Sequence, residues 1–444
     1  MSTQCKFDFL KSKDVEVRFD EGPISTDAGL SVLIEWLDNQ ANLNRYAEVL
    51  EARDERDPSR TIHSNKQLLR QRLLQIIAGY EDANDCDRLR KDPLFKAAND
   101  RLEEDEANAS QPTMSRLETR VSAKEVVIFN KQLLEGYIEE KRDDAPEEII
   151  LDIDATPAEA HGEQQQALFD GYYGQRIYFP LVVCDGKTGE LLAVRLRNGR
   201  AHDKHRARPT VRRIVDRLRE EFPETEIRLR ADDGFTGVKL YRMLDDREVS
   251  WRINYAANEV LKRRTEDTLE EVQQEYEETE EKVVRFELLE GYQANTWNKS
   301  RWVAAKIECG PQGTNRRFVV CSERPGSAQG VFEFYEGRGI CEQYIREFKD
   351  GYRGEKMSCS SFVANAFRAV LYGLAYTLVV RFRREHLSGT ELEGAFIQTI
   401  REKLFKLGAR IKITARRFWI HASQDWPYQE LFERVARSVC PQPG

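Results

Sequence analysis

Long apolar segments are scarce in this sequence. The longest, Ala369 to Val380, has 12 residues and lies between Arg368 and Arg381. A helix needs about 20 apolar residues to cross a bilayer, so this segment is predicted to be a buried helix. We expect no membrane-spanning segment and no membrane partner.

The sequence also lacks paired cysteines and nucleotide-binding loops, and its first residues lead us to expect no secretory leader. Its 8 cysteines are widely scattered without a CxxC pair, and the first residues, MSTQCKFDFLKSKD, do not run from basic to apolar. These features predict reduced thiols and a cytoplasmic location. Neither GxGxxG nor a Walker A loop is present, so nucleotide hydrolysis is not indicated.

An excess of positive charge is missing as well. The 444 residues carry 69 Lys and Arg against 77 Asp and Glu, a net charge of -8, whereas DNA-binding domains are usually basic. Residues 266–281 alone hold nine acids and no base. Residues 381–417 hold ten bases against four acids. That stretch predicts either a phosphate-facing surface or an ordinary solvated helix face.

The chain is long enough for two or three domains. Residues 1–145 show helical patterns, including an apolar stripe within residues 65–80, with Lys66, Arg70 and Arg72 outside it. Ser122 and Glu125 form a capping-box pattern before another helix. We therefore predict a helical N-terminal domain over residues 1–145, with Lys66, Arg70 and Arg72 as candidates for DNA binding.

From residue 148 the pattern changes to strands. Segments 149–154, 176–184 and 191–196 read as strands, and 205–254 then alternates helix, strand, helix and strand. This order predicts an α/β layered core. We place its first part at residues 146–254, a β-rich inserted subdomain at 255–329 and its second part at 330–444, with basic C-terminal helices.

Two pairs of acids follow predicted strands. Asp152 and Asp154 lie two apart, so both side chains point to one face, opposite Ile149, Leu151 and Ile153. Buried carboxylates need a cation or a polar partner, so a metal site and a salt bridge or turn cap remain the alternatives. Asp232 and Asp233 follow the strand 226–231, although acid-Gly sequences also mark ordinary turns.

A third group of polar residues lies on a predicted late helix. Tyr335, Arg338, Glu342 and Lys349 stand at offsets 0, 3, 7 and 14. At about 100° per residue they share one helical face. That face is either simply solvated or presents a cation-binding Glu beside bases that hold phosphate.

The spacing Y-x2-R-x3-E-x6-K over residues 335–349 resembles the YREK signature of a large group of insertion-sequence DDE transposases, transposase DDE domain group 1. LDIDAT (151–156) is similar to the first-Asp strand of that family, and RADDGF (230–235) to its second-Asp motif. Four further segments are similar to parts of these transposases: HGEQQQALFDGYYGQRIYFPL (161–181), GYEDANDCDRLRKDPLFK (79–96), ASQPTMSRLE (109–118) and KLGARIKITARRFWIHAS (406–423).

The resemblance implies a ribonuclease H-like core with a β-rich insertion before the Glu helix, preceded by the helical N-terminal domain. It also implies a catalytic and metal-binding triad of Asp154, Asp232 and Glu342. Asp154 is preferred over Asp152 because Thr156 follows it by two residues, but Asp152 is retained as a further metal ligand. Asp233, next to Asp232, remains an alternative for the second acid.

The remaining implied residues hold DNA. Tyr335, Arg338 and Lys349 are expected at the DNA phosphates, together with Arg346 on the same helix. Trp297 and Trp302 of the insertion either pack in the core or stack on a flipped base. Core packing is the expectation for both.

The implied reaction is cutting of double-stranded DNA at terminal inverted repeats and joining to target DNA, with two Mg²⁺ ions for which Mn²⁺ can substitute. When bound to DNA the protein would be nucleoid-associated, and pairing of two ends implies a homodimer. The alternatives are a nuclease that cuts without joining and a catalytically silent DNA-binding derivative. A glycosidase pair of acids is less consistent with the bases beside Glu342.

Overall fold

The computed structural model describes residues 5–7, 12–13, 15–17, 21–39, 42–102, 104–160, 162–202 and 204–440. Side chains of residues 5–7, 15–17 and 42 lie outside this description. The helices are α1 Ser31–Asn39, α2 Asn42–Glu51, α3 Asn65–Ala78, α4 Asp85–Leu89, α5 Pro93–Ala97, α6 Gln111–Arg120, α7 Ala123–Glu140, α8 Ala207–Glu221, α9 Val238–Asp245, α10 Glu259–Arg264, α11 Glu266–Thr279, α12 Ala328–Glu336, α13 Arg338–Arg346, α14 Phe362–His386, α15 Ile397–Ile400 and α16 Gln429–Val439.

The strands are β1 Cys5–Phe7, β2 Val15–Val17, β3 Ile24–Ser25, β4 Glu148–Ala155, β5 Ala158–Glu159, β6 Leu168–Asp170, β7 Gln175–Tyr178, β8 Leu181–Asp185, β9 Leu191–Arg195, β10 Glu226–Ala231, β11 Ser250–Tyr255, β12 Val283–Tyr292, β13 Arg301–Gly310, β14 Gly313–Cys321, β15 Ala409–Thr414 and β16 Arg417–Ala422. Short 3-10 helices (Ala28–Leu30, Pro58–Arg60, Asp233–Phe235) and π-helical turns (Glu347–Gly351, Arg401–Phe405) complete the assignment. The protein is therefore of mixed α/β class.

The chain divides into two compact units, 1–47 with 53–117 and 382–444, and 48–52 with 118–381. The second unit is built on an eight-stranded mixed sheet of order β12-β13-β14-β11-β10-β4-β8-β9. Strand β10 runs parallel to both β4 and β11, and the other neighbouring strands are antiparallel. The carboxyl ends of the parallel strands β4 and β10 therefore lie side by side.

Helices cover both faces of this sheet. On β4, Ile149, Leu151 and Ile153 join one large core cluster with apolar residues of α7, α8 and α9. The alternation predicted from the sequence is present, since these three residues share a face and Asp152 and Asp154 fall on the other. On that other face, α12 packs through Val331 and Phe332 against β13 and β14.

The segment predicted as an insertion extends the same sheet. Strands β12, β13 and β14 form an antiparallel meander whose last strand pairs with β11. Most of the acidic stretch forms α11, where only Leu269 and Val272 are buried. Tyr276 packs partly against the core, and the acidic side chains of α11 are exposed or partly exposed, so their charges remain in contact with water.

The predicted strand 176–184 is divided in the structure. Pro180 lies between β7 and β8, and these two strands belong to different sheets. Proline has no backbone N–H to donate to a neighbouring strand, so it commonly ends a strand.

In the first unit, α3 is buried on more sides than the predicted stripe. Leu68, Leu74 and Gln75 are buried as well as the stripe residues. Arg72 is fully buried and donates from Nη2 to the Glu81 carbonyl at 2.7 Å. Arg70 pairs with Asp38 at 2.5 Å, which leaves Lys66 as the exposed base of the predicted three.

The basic stretch 381–417 is only partly helical. Its end forms β15, which pairs with β16 and β3, because Ile411 and Ile413 alternate with exposed Lys412 as in a half-buried strand. Several of its bases have partners inside the protein: Arg381 with Glu190, Arg383 with the Ala395 carbonyl, Arg401 with the Ile77 carbonyl, Lys403 with Glu391 and Lys406 with Asp27.

Helix α14 contains the predicted apolar segment. Among the described residues it is the one helix long and apolar enough to cross a membrane, but 89% of its most apolar window is buried within the protein. It is thus a core helix by burial. The cysteines of the described part with placed side chains are all free thiols.

Candidate active site

The first acid lies at the carboxyl end of β4. Asp154 is the penultimate residue of β4, its side chain is 15% exposed, and its Oδ1 accepts a hydrogen bond from the Ala155 amide at 2.8 Å. The polar face of β4 thus presents a carboxylate that is largely shielded from water.

The second acid follows the adjacent strand. Residue Ala231 of β10 is the register partner of Ile153, so Asp232 emerges beside Asp154 at the carboxyl end of a parallel pair, where α/β proteins commonly bind ligands. Asp232 caps a 3-10 turn and accepts from the Gly234 amide at 3.0 Å. Its neighbour Asp233 is exposed within that turn.

The third acid lies on α13, which starts directly after α12 at Gly337. Arg338 and Glu342 are four residues apart, so they share a face of the helix. The Glu342 side chain is 58% exposed, whereas that of Arg338 is 10% exposed. Ile340, which lies between them in the sequence, is 47% exposed.

Arg338 connects all three acids. Its Nη1 lies 2.8 Å from Glu342 Oε1, and its Nη2 lies 3.2 Å from Asp154 Oδ2 and 3.6 Å from Asp232 Oδ2. Burial lowers the pKa of Arg338, but the charges of Asp154 and Asp232 outweigh burial and the net pKa is raised. The guanidinium is therefore firmly charged, and it stands between carboxylates from three separate elements.

The other residues predicted to hold phosphate are more dispersed. Tyr335 lies near the end of α12, where burial raises its pKa to about 12. Lys349 lies in the π-helical turn after α13 and pairs with Glu355 at 3.3 Å. Arg346 is exposed at the end of α13. The structure thus brings Arg338 to the acids, while Lys349 contacts a different carboxylate.

Asp152 has a partner that was not predicted from the sequence. Arg230 donates from Nε and Nη2 to the two carboxylate oxygens of Asp152, at 2.7 and 2.6 Å, and both side chains are buried. Burial raises the pKa of Asp152, and Arg230 opposes this shift. The signal was an arginine inside the apolar strand 226–231, because Arg230 and Asp152 are direct register partners.

The same arginine reaches the start of the Glu helix. Arg230 Nη1 donates to the Phe334 carbonyl at 2.9 Å. A Cβ atom at Gly337 would lie 2.3 Å from Arg230 Nη1, and one at Gly186 would lie 2.6 Å from Asp152 Oδ2. The pair therefore ties the corner between α12 and α13 to the sheet, and it needs two glycines.

The tryptophans of the insertion differ in setting. Trp297 is 7% exposed and contacts Tyr241, Tyr255 and Tyr292 edge to face, with ring centroids 5.6, 5.3 and 5.4 Å away. Trp302 packs beside the α12 cluster, with Arg324 over its ring. These contacts are those of core residues.

The acids have the chemistry of a divalent-cation site. Carboxylate oxygens are ligands that Mg²⁺ and Mn²⁺ prefer, and one guanidinium offsets only one of three carboxylate charges. Asp154, Asp232 and Glu342 therefore fit such an ion. Their carboxylate oxygens do not all lie within 4.8 Å of one another, because Arg338 stands between them. Among the described residues, one group of three potential metal ligands does meet that distance, and it consists of Asp152, Cys184 and Cys341.

Comparison with known proteins identifies the family. Among solved structures, the chain is similar to a piggyBac transposase in a cryo-EM synaptic complex with hairpin DNA, with 11% identity over 85% of this chain and 80% of that chain and a TM-score of 0.43. No curated protein matches the chain. The family described as transposase DDE domain group 1 matches residues 7–442, nearly the whole length. The chain therefore belongs to this family of transposases, as its motifs predicted.

Proposed function

We propose that this protein is the transposase of an insertion sequence, which cuts double-stranded DNA at the terminal inverted repeats and joins the cut ends to target DNA. The observation that carries the proposal is the convergence of Asp154, Asp232 and Glu342 on Arg338. Family membership adds to it. We propose a ribonuclease H-like core, supported by an acid on the first strand of the large sheet, another after its fourth strand and the Glu on a late helix.

Asp154, Asp232 and Glu342 would hold the divalent ions, proposed to be two Mg²⁺ with Mn²⁺ as a substitute. When bound, such ions lower the pKa of a nucleophilic water or 3′-hydroxyl and stabilise the leaving oxygen of a phosphodiester. Asp154 and Asp232 are fixed by backbone hydrogen bonds to Ala155 and Gly234. Their carboxylates are thereby oriented before substrate arrives.

Arg338 has two proposed roles in this scheme. Without metal it offsets part of the repulsion among the three acids, since its guanidinium contacts each of them. With DNA present, the same planar fork can bind phosphate oxygens in a bidentate manner. Tyr335, Arg346 and Lys349 are proposed to hold phosphates farther along the substrate.

Asp152 remains a predicted further ligand. Its pairing with Arg230 supports a second, structural role, in which the buried ion pair positions the helix that carries Glu342. A metal role for Asp152 would require one of its oxygens to exchange Arg230 for the ion.

Recognition of the DNA ends is proposed for residues 1–145 together with the basic stretch 381–417. Support comes from one compact unit that contains residues 53–117 and 382–444. Within it, the β15–β16 hairpin exposes Lys412, Arg416 and Arg417, and a two-stranded ribbon fits the major groove of DNA. Lys412→Ala combined with Arg416→Ala should reduce the preference for a repeat duplex over a scrambled duplex, and an unchanged preference would exclude this hairpin.

The proposed reaction is tested with purified protein, a labelled duplex that carries the inverted repeats flanking the gene, and Mg²⁺ or Mn²⁺. We expect cuts at the repeat boundary and covalent joining to a supercoiled target plasmid. Glu342→Gln should abolish both, and Glu333→Gln on α12 serves as the matched control. Cutting without joining would indicate a nuclease, and specific binding without cutting would indicate a silent derivative.

A further inference from the structure

Helices α8 and α9 form a groove that the site described above does not use. A cavity of about 780 Å³ lies at their N-terminal ends and a second of about 520 Å³ lies along them. Arg208, Val238 and Lys239 line both cavities, so the two are continuous. We call this surface the α8–α9 groove and define it by its six exposed basic residues, which are Lys204, Arg206, Arg208, Arg212, Lys239 and Arg242. Arg247, which is only partly exposed, also lines the smaller cavity.

The groove concentrates positive charge in an acidic protein. All six basic side chains are exposed, and none has an acidic partner in the part of the chain that the structure describes. No acid from that part lines the larger cavity, and Asp246 is the one acid that lines the smaller. With a net charge of -8 over the whole chain, this local field attracts an anion that the average charge would repel.

The ionisable residues beside the groove leave its positive charge in place. Burial lowers the pKa of His205, and Arg206, Arg197 and Arg195 lower it further. Asp216 on α8 is engaged by Arg247 at 2.5 Å, and Asp245 at the end of α9 is engaged by Arg301 at 2.7 Å. The groove therefore retains its charge instead of neutralising it internally.

The groove begins next to the candidate active site. Phe235 and Thr236 line the larger cavity, and Phe235 ends the 3-10 turn that Asp232 caps. A polyanion bound at the acids can therefore continue into the groove. Arg208 and Arg212 are about one helical turn apart, about 6 Å along the axis, so their side chains can contact different phosphates of one DNA strand.

We propose that the α8–α9 groove binds the phosphate backbone of the same duplex whose strand enters the active site. Four of its six bases are arginines, whose planar forks suit phosphate oxygens. Phosphate contacts of this kind set the register of a duplex without reading its sequence. The inference rests on the proposed function, because it takes the occupant to be the DNA substrate.

The test is the salt dependence of duplex binding by the full chain, measured by fluorescence anisotropy between 50 and 200 mM NaCl in EDTA. Arg212→Ala combined with Arg242→Ala removes two groove charges. Lys124→Ala combined with Lys131→Ala removes two exposed charges from α7 as a matched control. Equal melting temperatures of the variants establish that both are folded.

Each lost phosphate contact reduces the slope of log K against log salt concentration by about 0.9. We therefore expect the groove variant to lose about 2 from the slope and on the order of tenfold in affinity, with the α7 variant unchanged. If the groove variant kept the wild-type slope and affinity, the proposal that the groove binds DNA would be wrong. The proposed function would then still be supported by DNA cutting by the wild type. Absence of duplex binding by the wild type would overturn the groove and the proposed function together.

Discussion

At the scale of single residues, Arg338 is the centre of the site. Its guanidinium contacts Asp154, Asp232 and Glu342, and it therefore occupies the region where these acids would share a cation. A fixed positive charge among ion ligands competes with the ion, whereas the same charge beside a phosphate supports the reaction. The two effects of Arg338 can be separated by substitution.

Arg338→Ala should bind Mn²⁺ more tightly and cut DNA more slowly. Two unit charges 4 Å apart interact by about 4 kcal/mol at an effective dielectric of 20, and solvent that enters the space will cancel much of this. We expect roughly tenfold tighter Mn²⁺ binding, or ~1.4 kcal/mol, measured by calorimetric titration. Arg346→Ala is the control for Mn²⁺ binding alone, because Arg346 is exposed at the far end of α13. Weaker Mn²⁺ binding by Arg338→Ala would contradict the role given to this residue.

The buried pair of Arg230 and Asp152 is the second residue-scale feature with a measurable consequence. Arg230→Met leaves a buried carboxylate without its cation, which typically costs about 3–5 kcal/mol of unfolding free energy. Arg228→Met on the same strand removes a more exposed pair with Glu148, and should cost no more than about 1 kcal/mol. Urea denaturation of both variants measures the difference in their free energies of unfolding. Equal losses of free energy would mean that the Arg230–Asp152 pair stabilises the fold no more than the Arg228–Glu148 pair.

These residues also mark the limit of prediction from sequence. Period-two alternation placed Asp152 and Asp154 on one face of β4, because side chains alternate along any strand. The alternation could not name their partners. Arg230 lies 78 residues from Asp152, and their contact depends on the register between β10 and β4, which is a property of the folded sheet.

At the scale of elements, the corner between α12 and α13 determines where Glu342 lies. The sequence predicted one continuous helical face from Tyr335 to Lys349, whereas the structure has a junction at Gly337 and a π-helical turn at Glu347–Gly351. Local periodicity does not reveal such interruptions, since they arise from packing against the sheet. Lys349 is consequently directed to Glu355.

Gly337→Ala should lower both stability and DNA cutting. The added Cβ would lie 2.3 Å from Arg230 Nη1, and overpacking of this kind typically costs about 1–3 kcal/mol. Gly339→Ala is a matched control two residues along, because nothing lies within 4 Å of its Cβ position. That substitution should be neutral or stabilising, since alanine favours helices by up to about 1 kcal/mol over glycine. Thermal melting and cutting rates that fall equally in both variants would contradict the packing argument.

At the scale of the whole molecule, the distribution of charge is more informative about DNA binding than the net charge. The acids of α11 are solvated and distant in sequence from the site, whereas the α8–α9 groove keeps its cations unpaired within the described chain. Composition alone showed the acidic stretch, but it could not show the groove, because its bases come from two helices and the loop before them. Conversely, the basic stretch 381–417 uses several of its charges internally.

The family was predictable from motif spacing and its match spans residues 7–442, but the roles of individual acids remain a prediction. The most direct test is a cutting assay on a preassembled protein–DNA complex with Mg²⁺, comparing Asp154→Asn, Asp232→Asn and Glu342→Gln with Asp233→Asn. The account predicts that each of the first three binds DNA normally and cuts at background level, while Asp233→Asn cuts close to the wild-type rate. Full cutting by any one of the first three would contradict the proposed triad.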